Sequence, residues 1–322
     1  MLAYEETEAI CGPSRDSYYR TDTDATAMCL KEDYYSGLGS NMHAAYNVQY
    51  AVSSGIIVGY YVSQDRSDSR TFPAFVDRLR DMWGAYPSAI CADAGYGSLA
   101  NYQYLRARGI GNFVKYPGWE GEVSGTRPAF IALSPDGALR CIDGKEAAPV
   151  PPPRHPRYCG SEFVAVEHCG RCPYMRFCRM PLREKSGRAR VFEIVRPLLA
   201  FKEEAKRNLL SPEGIEMRVN RSIQVEGTFG MIKQDLGYDR FRRRGLGGAA
   251  MEMMLTCLGA NVRKYFRFLR TGKLPEFWKA PEGLAAEAPR RLTCAVRRGG
   301  RSRRNLRKQP NQVAKRMGGS QA

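Results

Sequence analysis

Residues 87–116 read PSAICADAGYGSLANYQYLRARGIGNFVKY. Pro87 opens a run, SAICA, that is apolar but too short for a helix, which predicts a buried strand ending at Asp93. Ser98 can cap a helix carrying Leu99, Tyr102 and Leu105, Gly109 can end it, and IGNFVKY is a second strand. Upstream, YNVQYAV (46–52) alternates large apolar with small or polar residues, and IIVGYYV (56–62) follows a Ser-Ser-Gly turn, the pattern of an antiparallel hairpin. Between hairpin and strand, Phe72, Phe75, Leu79 and Met82 recur at helical spacing before Gly84, predicting an amphipathic helix. Strands alternating with helices give an α/β fold class.

Residues 118–190 break this rhythm with Gly and Pro turns, the segment PVPPPRHP and a dense set of cysteines. They read as an insertion that is poor in core residues. Helical periodicity returns afterwards. Ser211-Pro212 supplies a cap and first helical position for a helix running to about Leu236, and Met251, Leu255, Leu258, Val262 and Phe266 mark another, with Met251, Met253 and Met254 as ordinary core candidates. The resulting division is a poorly ordered segment 1–20, a core in two parts (21–117 and 191–270), the cysteine-rich insertion 118–190, and a tail 271–322.

With 322 residues, the chain is long enough to bury a sizeable core, and 43% hydrophobic with 26% charged residues is a globular balance. No run approaches the ~18 apolar residues of a membrane span, and the acidic start MLAYEETEAI is unlike an export signal. Ten cysteines without such a signal suggest thiols or metal ligation rather than disulfides. The net charge of +17 implies a polyanionic partner. Residues 289–322 contain eleven Lys/Arg and no acid, so most of that excess is a basic tail suited to nucleic-acid phosphates.

The chemistry-bearing residues are acids among cations. Asp93 falls at the carboxyl end of a core strand, where ligands of α/β sheets gather, and an acid there calls for a compensating cation such as a divalent metal. Glu226 lies in RSIQVEGTFGMIKQD with Lys233 seven residues on, two helical turns away, and Arg218 and Arg221 upstream. A carboxylate amid cations can hold a metal while its neighbours hold phosphate oxygens. Arg240, Arg242, Arg243 and Arg244 form a basic knot around Phe241, suited to backbone phosphates. Cys169-x2-Cys172-x5-Cys178, with Cys141 and Cys159 upstream, has the spacing of a tetrahedral Zn²⁺ site.

Three stretches together, YNVQYAV, ADAGYGSLANYQYLRARGI and VEGTFGMIKQDLGYDRFRRRGL, resemble the core of DDE-type transposases of bacterial insertion sequences. The resemblance covers about residues 20–270, and its most specific element is Glu226 with Lys233. It implies an RNase H-like mixed sheet with flanking helices, interrupted by a zinc-ribbon-like insertion. It also implies three carboxylates on two Mg²⁺ (or Mn²⁺) ions that cleave DNA strands and transfer them at element ends. Paired hard cations on oxygen ligands stabilise both attacking and leaving oxygens of an in-line displacement.

In that likeness Asp93 is the second carboxylate and Glu226 the third. The first would lie on a strand preceding the hairpin; TDTDATAM (21–28) resembles the linker after it, which points to an N-terminally truncated chain with Asp24 as a weak substitute. Asp68 resembles a capping or supporting acid. Arg218 and Arg221 match the family's phosphate-contacting positions only in part. Cys141, Cys169, Cys172 and Cys178 are the zinc set the likeness favours. The implied partners are DNA, both element ends and target, and a second copy in a synaptic complex; the implied location is the cytoplasm, at the nucleoid. Two competing readings are a DNA-binding remnant or regulator without catalysis, and an unrelated zinc-containing nucleic-acid-binding protein.

Overall fold

A computed structural model describes residues 2–12, 15–29, 42–126, 130–134, 136–152, 160–167, 169, 172–174, 189–238 and 240–271. Cys159, Cys178 and residues 272–322, hence the basic tail, lie outside the described residues. The fold is mixed α/β. Its described strands form several small sheets rather than one continuous mixed sheet.

Helix α1 (Leu2–Cys11) precedes the antiparallel pair β1 (Thr26–Cys29) and β2 (Met42–Ala45). The predicted hairpin is β3 (Asn47–Ser53) and β4 (Ile56–Ser63), paired antiparallel from Ser53↔Ile56. Its two-residue loop has φ of 50° at Ser54 and 79° at Gly55, the turn whose twist matches the flanking strands. Helix α2 (Asp68–Trp83) buries Phe72, Phe75 and Val76. Met82, expected on that buried face, is 52% exposed because the helix ends at Gly84 beyond the core.

Strand β5 (Ala89–Ala92), helix α3 (Leu99–Ala107) and strand β6 (Gly111–Val114) follow as predicted, and β5 and β6 pair in parallel. Ser98 accepts the Asn101 amide as the cap of α3. The short helix α4 (Trp119–Val123) opens the stretch read as an insertion, 118–190, where the strands are β7 (Ile131–Leu133), β8 (Leu139–Cys141), β9 (Ala148–Pro149) and β10 (Glu162–Glu167), and β11 (Ala189–Ile194) runs past its end to pair with β10. Contrary to the expectation of a core-poor segment, these strands enclose a core of their own that includes Ile131, Leu139, Val164, Val166 and Phe192. Alternating apolar positions in short strands supply it.

Helices α5 (Arg196–Leu210) and α6 (Pro212–Arg221) then return the chain to the first core. There Phe201, Ala205 and Leu209 pack with Phe72, Tyr102, Leu105 and Val114. The helix that begins at Pro212 continues to Asp235 but not as a regular α-helix. Two widened π turns, Ser222–Glu226 and Met231–Asp235, flank the single α turn α7 (Gly227–Gly230). Last comes α8 (Leu246–Thr271), 26 residues long. It lies on the β3–β4 hairpin through Ala249, Met253, Cys257 and Ala260.

That contact corrects the sequence reading of α8. Of the core candidates Met251, Met253 and Met254 only Met253 is buried, and the periodic residues Met251, Leu255, Leu258, Val262 and Phe266 are 43–58% exposed. Small residues at 249, 257 and 260 let the hairpin approach the other face closely. No helix among the described residues is long and apolar enough to cross a membrane.

Candidate active site

Parallel β5 and β6 end side by side, so Asp93 and Lys115 emerge together at their carboxyl ends, with the Lys115 amide bonded to the Ala92 carbonyl at 3.1 Å. After Asp93 the chain makes one tight turn, Ala94–Tyr96, and Gly97 follows. A Cβ at Gly97 would collide with the Lys115 carbonyl and come within 2.8 Å of Tyr116 Cα and 2.9 Å of Tyr102 Oη. Backbone must therefore move to admit any side chain there. Gly97→Ala is expected to cost about 2 kcal/mol or more in a denaturant melt, and a loss under about 0.5 kcal/mol would refute this packing.

Gly95 has a separate reason. Its Cβ would sit 3.1 Å from Asp68 Oδ2, so the turn passes directly against that carboxylate. Asp68 Oδ1 in turn accepts Asn47 Nδ2 at 2.8 Å, which ties the hairpin to the start of α2 and to the Asp93 turn. Tyr96 is held protonated by burial, with Asp68 and Asp93 adding to the effect.

The decisive contact comes from far along the chain. Arg221 Nη1 donates to Asp93 Oδ2 at 2.8 Å, and Arg221 Nη2 lies 3.9 Å from Glu226 Oε1. One guanidinium, its side chain 14% exposed, thus joins the carboxylates of Asp93 and Glu226, which are 56% and 68% exposed. The π turn is what permits it. In an α-helix residues five apart point about 140° away from each other, whereas a turn bonded i to i+5 stacks them. Arg221 Nε, buried and without a partner in the described structure, is left over at this junction.

More cations surround the strand end. Burial pushes the Cys91 thiol up, against the pull of Arg221, Lys115 and Arg218. Lys115 Nζ lies 4.9 Å from the Trp119 ring centre, and the Arg218 guanidinium carbon is also 4.9 Å from it. Arg218 further donates Nε to the Leu209 carbonyl at 3.0 Å, which closes the α5–α6 corner. Asp93, Gly95, Lys115, Trp119 and Glu120 line an open cleft of about 580 Å³. Lys115, Trp119 and Tyr96 carried no assigned part in the sequence reading, whereas Asp68 was read there as a capping or supporting acid. The one available signal was a lysine directly after the second of two parallel strands.

The remaining predicted residues fall in other places. Asp24 Oδ2 accepts the Leu246 amide at 2.9 Å, and Asp22 accepts the Gly245 amide, so both hold the start of α8. No contact among the described residues brings Asp24 to Asp93 or Glu226, and no group of three Asp, Glu, His or Cys side chains among them is placed to hold a metal ion. Lys233 is exposed, its Nζ 5.8 Å from the Phe229 ring centre.

Arg240, Arg242, Arg243 and Arg244 are exposed on the loop before α8. Glu252 fixes that loop: it accepts the Tyr238 hydroxyl, the Arg242 amide at 3.0 Å and the Arg243 amide at 2.6 Å. Burial works against ionising Glu252, but these three hydrogen bonds outweigh it and hold its carboxyl below the usual range. A depressed folded pKa gives stability that is present above the unfolded value, about 4.3, and lost as pH falls through the lower folded one. The melting temperature of wild type is therefore expected to drop more steeply below about pH 4.3 than that of Glu252→Gln; parallel curves would refute it.

In the insertion, Cys141, Cys169 and Cys172 line one small cavity with Asp143 and Lys145. The Cys172 amide bonds the Cys169 carbonyl at 3.1 Å, and Cys169 Sγ is 3.0 Å from the Val166 carbonyl. Three of the four thiols in the predicted zinc set therefore share a site, without forming a metal-ready group among the described residues.

Residues 141–266 match the model of a family described as the transposase DDE domain. This stretch is similar to a transposase DDE domain. It spans less than half of the chain and contains Cys141, Glu226, Lys233 and the basic knot, while Asp93 lies upstream of it. The match supports relating the chain to DDE-type transposases and supports a transposase-related function. No curated protein and no solved structure matches the chain.

Proposed function

We propose that this protein is a DDE transposase built on an RNase H-like core, in which Asp93 and Glu226 hold a divalent metal against a DNA phosphate. The observation that carries the reading is the Arg221 bridge, which joins Asp93 to a helix 128 residues away and draws Glu226 to the same cation. Two exposed carboxylates converging on one positive charge fit a hard ion such as Mg²⁺ or Mn²⁺, whose remaining positions water can fill. When bound, that ion supplies charge stabilisation for attack on a phosphodiester. Lys115, Arg218 and Arg221 beside the cleft then bind and orient the phosphate backbone. Arg240, Arg242, Arg243, Arg244 and Lys233 extend the positive surface for DNA, and two copies of the chain would bring two element ends together.

A second reading has its own observation. With Asp24 engaged at α8 and no group of three acids among the described residues placed to hold a metal ion, the chain binds DNA and metal without completing catalysis. One experiment separates the two: calorimetric titration of the full chain with Mn²⁺, alongside nicking of supercoiled plasmid in the same buffer. Binding with nicking supports catalysis. Binding without nicking supports the remnant, and no binding ends the metal reading.

The thiols of Cys141, Cys169, Cys172 and Cys178 are a further proposed structural site, for Zn²⁺. Metal analysis of wild type and Cys172→Ser tests it. Absence of zinc from both samples ends that proposal.

A further inference from the structure

The apolar stripe that the fold leaves outside on α8 has a definite period. Met251, Leu255, Leu258, Val262, Tyr265 and Leu269 are spaced four, three, four, three and four residues apart, which is the a/d seam of a two-helix coiled coil. All six are between 43% and 58% exposed. The opposite face, through Met253, Cys257 and Ala260, is already taken by the β3–β4 hairpin. A seam of this period packs against another helix of the same period, and α8 itself provides one in a second copy.

The area agrees with that occupant. The stripe spans roughly 27 Å of helix, and Met254 and Phe266 widen it. Eight half-exposed large side chains leave on the order of 800 Å² per copy, the size a stable two-protein interface buries on each side. Arg263, Lys264, Arg267 and Arg270 all fall outside the seam and its flanking positions, so no like charges meet across it.

We propose that two copies of this chain associate through the α8 seam. This gives a surface to the two-copy arrangement proposed above, yet it is read by mass and not by metal or cleavage, so either idea can fail alone.

The test uses nuclease-treated full-length protein in about 0.5 M salt, where DNA bridging is suppressed. Sedimentation equilibrium at about 20 µM populates any dimer with a micromolar Kd. The expected result is a mass twice the 36.1 kDa of one chain. Leu258→Glu with Val262→Glu should raise the dissociation constant at least about 100-fold with an unchanged circular dichroism spectrum. Ile215→Glu with Val219→Glu, equally exposed on α6, should leave the dimer intact.

A monomeric wild type, a dimer indifferent to the α8 pair, or a dimer lost equally in the α6 pair would each overturn the proposal. Should the α8 pair not fold, a photo-crosslinking residue at position 262 decides. Capture of a second α8 supports the seam, and a link only within one chain, to residues 272–322 or elsewhere, refutes it.

Discussion

Asp93→Asn and Glu226→Gln are each expected to weaken Mn²⁺ binding by about 100-fold and to abolish any plasmid nicking the wild type shows. Each change removes one of two negative charges that converge on the same position, and a hard ion draws most of its affinity from such charges. The two effects should not add, because a single remaining carboxylate already leaves the site unable to compete with water. Folding should be nearly untouched, since both side chains are more than half exposed and neither is part of a packed core. Calorimetry with Mn²⁺ on the two variants and the double variant measures this. If Glu226→Gln binds the ion as wild type does, the two acids do not form one site, whatever the activity.

Arg221→Met is expected to act in the opposite direction on the ion. In the absence of metal the guanidinium is the counter-charge of both acids, so a divalent ion must compete with it for them. A unit charge at about 4 Å is worth about 1 kcal/mol in water and about 4 kcal/mol at the effective dielectric near a protein surface. Removing it should tighten Mn²⁺ binding about tenfold, the lower part of that range, because the acids are exposed and screened. The same variant should melt earlier in EDTA, by about 1–2 kcal/mol, as two like charges are left facing each other and a largely buried side chain is lost. Added Mn²⁺ should recover more of that loss than it gains in wild type. Weaker binding in Arg221→Met would mean that the arginine positions the acids and does not compete for them.

Local elements were legible in the chain because each depends on neighbours in sequence. The strand at 89–92 and its Asp93 end, the cap at Ser98, the hairpin around Ser54-Gly55 and the start at Pro212 all lie where turn residues and apolar spacing put them. Asp93 and Glu226 were likewise visible as acids in unusual settings. Lys115 and Trp119 were not, since a lysine and a tryptophan after a strand mean little until a parallel neighbour brings them beside Asp93. The two π turns were also hidden. Seven residues from Glu226 to Lys233 read as two regular turns, and nothing in the residue types announces a widened one.

Sequence alone determined the alternation of strands and helices and the strongly basic balance, and it marked the two acids as candidates, because propensity, patterning and charge are properties of the chain itself. Tertiary structure decided three other things. It set which face of α8 is buried, where small side chains won over large ones because only they admit the hairpin. It assigned Asp24 to the start of a helix. It brought Asp93 and Glu226 to one arginine, a meeting that depends on α6 packing beside β5 and that no local pattern encodes.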